Sequence, residues 1–229
     1  MNKITSLLLC VLFAPAVIFA GSFEGKIRFS MKSPRHDQPT FMDYSVKEGF
    51  LRIDITNPDS NKTVCAIWDL NKHEILTLMP EQKMYLVMKT EDIAAAVQGA
   101  APNVQIEKTG DTETILGYPT TKYIIKDTTR GTTSEVWTAE GLGTFITVNN
   151  IFKTRGVMNP VEKELAARGA FPLRMISHNA GGDETSRMEV VSIDRKTLPD
   201  DTFTVPSDYR PFDIGGMFGG FGGNRAPQN

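Results

Sequence analysis

The chain has only two cysteines in 229 residues, at positions 10 and 65. Cys10 lies in an apolar run, Leu7 to Phe19, that follows Lys3 and ends at Ala20-Gly21. A positive start, a short apolar stretch and small residues at its end make residues 1–20 a secretory signal peptide. The run is short of the ~20 apolar residues a membrane-spanning helix needs, so the mature chain is not expected to span a membrane. Cys10 follows Leu7-Leu8-Leu9 instead of standing at the cleavage point, which argues against a lipoprotein signal. Cleavage near Ala20 leaves Cys65 alone, so no internal disulfide is expected even in an oxidising compartment. Stability must then come from a packed core.

Other absences narrow the function. Lys and Arg number 25 against 27 Asp and Glu, a net charge of −2, so no basic excess draws in nucleic acid. The three histidines, His36, His73 and His178, have no metal-ligand spacing, and Cys65 has no Cys neighbour. There is no Gly-x-Ser-x-Gly elbow, no phosphate loop and no HExxH. The carboxylate pairs Glu91-Asp92 and Asp200-Asp201 are adjacent in sequence, and adjacent side chains of an extended chain point apart. Neither an enzyme, a metal nor a cofactor is expected from this inventory. No 20–50-residue repeat marks a solenoid.

What is present is strand after strand. Ser22–Lys32 alternates apolar Phe23, Ile27, Phe29 and Met31 with Glu24, Lys26, Arg28 and Lys32, a strand with one wet face. Ser33–Gln38 reads as a Pro-containing turn. Met42–Lys47 and Phe50–Thr56 flank Glu48-Gly49. The stretch Val64–Met88 predicts a three-strand meander over Val64–Trp68, Glu74–Met79 and Lys83–Met88, with polar or Pro turns between. Ile75, Thr77 and Met79 share one side and Leu76 and Leu78 the other, so both faces are apolar and each needs a cover. Further strands are expected at Thr112–Leu116, Thr120–Lys126, Ser134–Thr138, Phe171–Ser177 and Ser186–Ile193, with Ala101–Gln105 a linker and Leu198–Tyr209 an extended end. Thr144–Phe152 fits a strand or a lid-like segment.

Two short helices are expected. Thr90–Ala100 has a capping Thr90, acidic Glu91 and Asp92, and a closing Gly99. Pro160–Arg168 has Asn159 as cap, Pro160 at the first position, a Glu164–Arg168 pair four apart and Gly169 beyond its end. From Gly215 the sequence GGMFGGFGGNRAPQN cannot pack a core and is expected to be disordered. The organisation is a signal peptide over 1–20, one domain over 21–213 and a Gly-rich tail over 214–229. The fold class is mainly β with a few short helices (α+β): one curved antiparallel sheet, an unclosed half-barrel covered by the helices.

Methionine is plentiful. Nine of the ten lie beyond the signal peptide: Met31, Met42, Met79, Met84, Met88, Met158, Met175, Met188 and Met217. Met is flexible and polarisable, and suits either an adaptable apolar cavity or an irregular core. The candidate cavity residues are Trp68, Met79, Met84, Leu86, Met88 and Trp137 on the sheet, with Ile93 and Val97 on the first helix.

Short motifs carry a family resemblance. They are Phe23-Glu24-Gly25-Lys26-Ile27, Ile67-Trp68-Asp69, Met84-Tyr85-Leu86-Val87-Met88, Leu116-Gly117-Tyr118, Glu135-Val136-Trp137-Thr138, Gly169-Ala170-Phe171-Pro172-Leu173 and Phe203-Thr204-Val205-Pro206-Ser207-Asp208-Tyr209. Together the chain resembles an exported bacterial family catalogued as domain of unknown function 4412, and more distantly the LolA/LolB-type lipoprotein carriers. The resemblance implies a strongly curved antiparallel sheet with helices on its concave side, a space that in the carriers accepts acyl chains. It names no catalytic residue. Three functions stay open. The first is a periplasmic binding protein holding a lipid or acylated ligand in the half-barrel. The second is an envelope interaction protein with a filled core. The third is an enzyme or metal protein that gathers histidines and carboxylates in space, for example His178 near Asp183.

Overall fold

A computed structural model describes residues 23–34, 36–56, 62–89, 103–146 and 160–212. The signal peptide, the first expected helix, most of Thr144–Phe152 and the Gly-rich tail lie outside the described residues.

The described residues form a twelve-stranded sheet. Six strands follow one another as a meander: β1 (Gly25–Ser33), β2 (His36–Lys47), β3 (Phe50–Thr56), β4 (Thr63–Asp69), β5 (Glu74–Met79) and β6 (Met84–Lys89). Five more form a second meander: β7 (Val104–Ile115), β8 (Tyr118–Asp127), β9 (Thr132–Glu140), β10 (Ala170–His178) and β11 (Glu184–Arg195). The two join where β1 pairs antiparallel with β11. A two-residue β12 (Arg210–Pro211) returns to lie parallel to β6. The spatial order is β12-β6-β5-β4-β3-β2-β1-β11-β10-β9-β8-β7, so β12 and β7 are the two edges and the barrel is unclosed.

Ring contacts measure the curvature. Tyr44 on β2 and Phe171 on β10 have two strands between them in the sheet order. Three strand spacings on a flat sheet would part them by about 14 Å. Their ring centroids are 5.8 Å apart, edge to face. The sheet therefore curls around these residues. Phe29, Tyr44, Phe171 and Phe145, from the segment after β9, are all in mutual contact at 5.5–6.1 Å. The Phe145 segment is held in the concavity by Tyr44, whose hydroxyl oxygen accepts the Ile146 N–H at 2.7 Å. These rings, with Phe23, Ile27, Leu51, Ile53, Trp68, Ile75, Leu142 and Leu173, make the main core.

The opposite face of the central meander has its own cover. Cys65, Ile67 and Leu78 pack with Leu198 and Phe203, and half-buried Phe50, Leu76, Tyr85, Val205 and Tyr209 close around them. The chain after β11 therefore runs as a strap across the outside of β3–β6. A short 3-10 turn, η1 (Asp200–Phe203), aims Phe203 at the sheet. Lys47 Nζ donates to the Leu198 carbonyl at 2.9 Å, Arg52 to the Thr202 carbonyl at 3.0 Å, and the Leu198 N–H donates to Glu24 at 2.7 Å.

Several expectations are corrected. The helix α1 (Pro160–Ala167) forms where Pro160 and Gly169 signalled it, with Arg168 on Glu164 at 2.6 Å. It rests against β10 and β7 of the second meander. The other expected helix lies outside the described residues, and on the outer face the strap supplies the cover. The expected linker Ala101–Gln105 instead runs into β7, which begins at Val104. The expected turn Ser33–Gln38 shortens, since β2 starts at His36.

Candidate functional site

In the central meander the register builds one continuous apolar face. Leu51, Trp68, Ile75 and Met88 stand side by side across β3–β6. The next row is Ile53, Ala66, Thr77 and Leu86. Beyond it Ile55 pairs with Val64, and Met79 with Met84. No charged residue interrupts these rows. The first row ends in the core: Trp68 is 2% exposed and Ile75 is fully buried. Towards β6 and the third row the cover thins, and Thr77, Met79, Met84, Leu86 and Met88 are half-buried.

Five of the expected residues therefore come together. Trp68, Met79, Met84, Leu86 and Met88 share the face that continues the concave core, and Met88 packs on that core directly. Of the other three, only Trp137 can be placed, and it lies elsewhere in the sheet. Ile93 and Val97 lie outside the described residues. Trp137 is on β9, with β3, β2, β1, β11 and β10 between it and β4 in the sheet order. Its register neighbours are Lys122 and Arg174, whose charged groups lie 4.8 and 5.3 Å from the ring. Lys122 also pairs with Glu135 at 2.8 Å, and Arg174 with Glu189 at 3.0 Å. Trp137 is thus the apolar filling of an ion-pair network, where the quadrupole of the ring attracts both cations. Alternation alone could not separate that role from a cavity wall.

The methionines divide the same way. Met42 is 2% exposed in the core, and Met31 and Met188 pack on its surface. For these the filling role holds. Met79 and Met84 remain on the half-buried strip.

A pocket of about 250 Å³ opens at the end of the sheet beside the Glu48-Gly49 turn. Phe23, Val46, Phe50, Leu51 and Ile146 line it, with Lys47 and Glu48 also in its wall. None of the six described cavity candidates lines it; Leu51, the neighbour of Trp68, is its link to the meander face. Sequence periodicity misses it because it is made by four separate segments, at Phe23, Val46–Leu51, Leu70 and Gly141–Ile146, meeting at one end of the sheet.

The candidate reactive groups among the described residues are His73, His178, Asp183 and Cys65. No three His, Cys, Asp or Glu side chains there are placed to hold a metal ion. His73 sits in the β4–β5 turn with φ 56°, and His178 pairs in register with Glu184, while Asp183 is engaged by Asn179 at 3.1 Å. Cys65 is buried beneath the strap beside Asp54; burial pushes its thiol up, and the Asp54 carboxylate pushes it the same way. A neutral, buried thiol is a poor nucleophile. No helix among the described residues is long and apolar enough to cross a membrane.

Comparison with known proteins gives a family and some distant likenesses. No protein of curated function matches the chain in sequence. An uncharacterized conserved protein from Thermus thermophilus superposes with a TM-score of 0.49 at 9% identity, over 82% of this chain and 90% of that one. The MucA/MucB complex of Pseudomonas aeruginosa gives 0.42 at 9% identity, over 81% of this chain and 56% of that one. A domain from Vibrio parahaemolyticus, described as that of an outer membrane lipoprotein-sorting protein, gives 0.34 at 10% identity, over 79% and 88%. A family model matches residues 23–209, nearly all of the described chain, and on that match the protein belongs to the family described as domain of unknown function DUF4412.

Proposed function

We propose that the protein is an exported, periplasmic, non-catalytic binding protein that holds a lipid or other apolar ligand on the concave side of its half-barrel. One observation carries the reading. The face bearing Trp68, Met79, Met84, Leu86 and Met88 is uncharged, continuous with the core, and half-buried where it leaves the core. Adaptable Met and Leu side chains on a face between core and solvent suit an apolar ligand of variable shape. Residues 1–20 supply the export signal by their sequence pattern. Native mass spectrometry of the mature protein, purified from its own envelope, tests the reading. An acyl species that co-purifies supports it. A protein without lipid that also fails to take up an environment-sensitive apolar dye overturns it.

A second reading has its own support. The middle of the concavity is occupied by Phe29, Tyr44, Phe145 and Phe171 in mutual contact. The 250 Å³ pocket lies at the rim, and none of those four rings lines it. If the dye and mass spectrometry are both negative, the protein is a filled-core envelope protein that works through a protein partner. Crosslinking in the periplasm would then recover that partner.

A further inference from the structure

Trp68 and Thr77 stand on adjacent strands of the same apolar face, one row apart: Trp68 opposite Ile75, Thr77 opposite Ala66. The indole Nε1 of Trp68 and the hydroxyl of Thr77 are both buried, and neither has a hydrogen-bond partner among the described residues. An indole N–H only donates, and a threonine hydroxyl donates one bond and accepts others. A buried donor left unpaired costs about 1–3 kcal/mol, and native proteins retain few of them. Their register neighbours cannot help: Leu51 and Ile75 flank Trp68, and Ala66 and Leu86 flank Thr77. Two unused donors thus sit on the face that otherwise offers only hydrocarbon.

We propose that this pair receives the carbonyl oxygen of a neutral acyl ester or amide whose chain lies along Met79, Met84, Leu86 and Met88. The inference rests on the binding reading above and narrows its ligand class. Both groups can donate, so an acceptor is called for. The rows Leu51–Met88, Ile53–Leu86 and Met79–Met84 hold no cation, so an ionised carboxylate would lose its hydration without a counter-charge. A plain hydrocarbon would leave both donors unpaired. The site is therefore selective for the ester or amide over both the free acid and the alkane.

The chain has two tryptophans, so Trp137→Phe leaves Trp68 as the single emitter, away from the ion-pair network. The mature protein carrying that change is titrated with methyl decanoate, decanoate and decane, following Trp68 emission and binding heat. Methyl decanoate is expected to bind about tenfold more tightly than the other two and to shift the Trp68 spectrum, as one to two recovered hydrogen bonds imply. Thr77→Val keeps the side-chain shape and the fold, and should weaken the ester about fivefold to tenfold while leaving decane unchanged. Trp68→Phe, read by binding heat alone, should do the same. If all three probes bind alike and Thr77→Val changes none of them, the carbonyl site is overturned while the apolar binding reading stands. If none of the three binds, both are overturned.

Discussion

Phe203 in the strap lies on Phe50 at the start of β3, with ring centroids 5.7 Å apart and planes at 33°. This pairing explains why the central meander is apolar on both sides. Its inner face belongs to the main core, and its outer face is sealed by a piece of chain from far later in the sequence. Phe203 is 5% exposed. Its replacement by Ala should cost about 3 kcal/mol through lost burial and an uncollapsed hole. A urea transition measures this; a loss under about 0.5 kcal/mol would show that the strap is not part of the cooperative fold.

The strap also governs Cys65. The thiol is 2% exposed, and burial followed by the Asp54 charge raises its pKa, so little thiolate exists at neutral pH. The native mature protein should therefore be inert to a thiol-reactive dye, and one thiol should appear in urea. In Phe203→Ala the native thiol should react measurably faster, because the covering ring is gone. Fast labelling of the unaltered native protein would contradict the sealed outer face.

The meanders are legible in the sequence and the covers are not, for a physical reason. Strands β3 (Phe50–Thr56) and β5 (Glu74–Met79) match the expected bounds to the residue, because alternation and turn residues are local signals. The N-terminal half of β7 falls in the expected linker Ala101–Gln105 and in residues 106–111, to which no element is assigned from the sequence. A register break interrupts the strand at Lys108–Thr112, where Thr109 donates to the Lys122 carbonyl at 3.2 Å and accepts the Asp111 N–H at 3.1 Å. As an edge strand with mostly exposed side chains, β7 also has little need of apolar alternation. Leu198 and Phe203 look like any extended tail, since the surface they cover is far off in sequence. The candidate site is legible to the same extent: Trp68, Met79, Met84, Leu86 and Met88 lie on one local meander, whereas Trp137 joins that list only by being aromatic. That Trp68 and Thr77 keep unpaired polar atoms cannot be read from residue types, because it depends on what the packed neighbours leave out.

Gly25 shows what a motif glycine can encode. Its φ is +153°, and a Cβ there would lie 2.2 Å from the Asp194 carbonyl oxygen on β11. The obstruction is backbone in the ladder that joins the two meanders, so it cannot swing aside as a side-chain tip would. Gly25→Ala should destabilise the protein by about 2 kcal/mol or more, through strain at an unfavourable φ and a pried-apart β1–β11 pair. Gly117→Ala makes the comparison, with φ +83° but open space around its Cβ, and should cost only the conformational strain. Equal losses in the two variants would dismiss the steric account.

Asp69 links the central meander to pH. It is 6% exposed at the end of β4, and its carboxylate accepts the N–H groups of Asn71 at 3.1 Å and Lys72 at 3.0 Å. The Lys72 ammonium is 3.1 Å away. Burial alone would raise its pKa, but the Lys72 backbone and side-chain hydrogen bonds, its charge and the Asn71 N–H together outweigh that and hold the carboxyl below its ordinary range. A depressed folded-state pKa means that the unfolded chain binds the proton first. The contribution is then fully present above the unfolded carboxylate value, about 3.9, and disappears as pH falls through the lower folded value. Asp69→Asn keeps the acceptor oxygen but has no charge to lose. It should be less stable than the natural chain by about 1 kcal/mol near neutral pH, the usual excess of a charge-assisted over a neutral hydrogen bond. That gap should narrow as urea transitions are repeated down to about pH 3, below the unfolded value. Asp200, held down by Lys47, and Asp208, held down by Lys83, also lose their pairs in acid. They do so in both proteins, so the difference between the two isolates Asp69. A gap that stays constant with pH would mean that the turn is held by shape and not by charge.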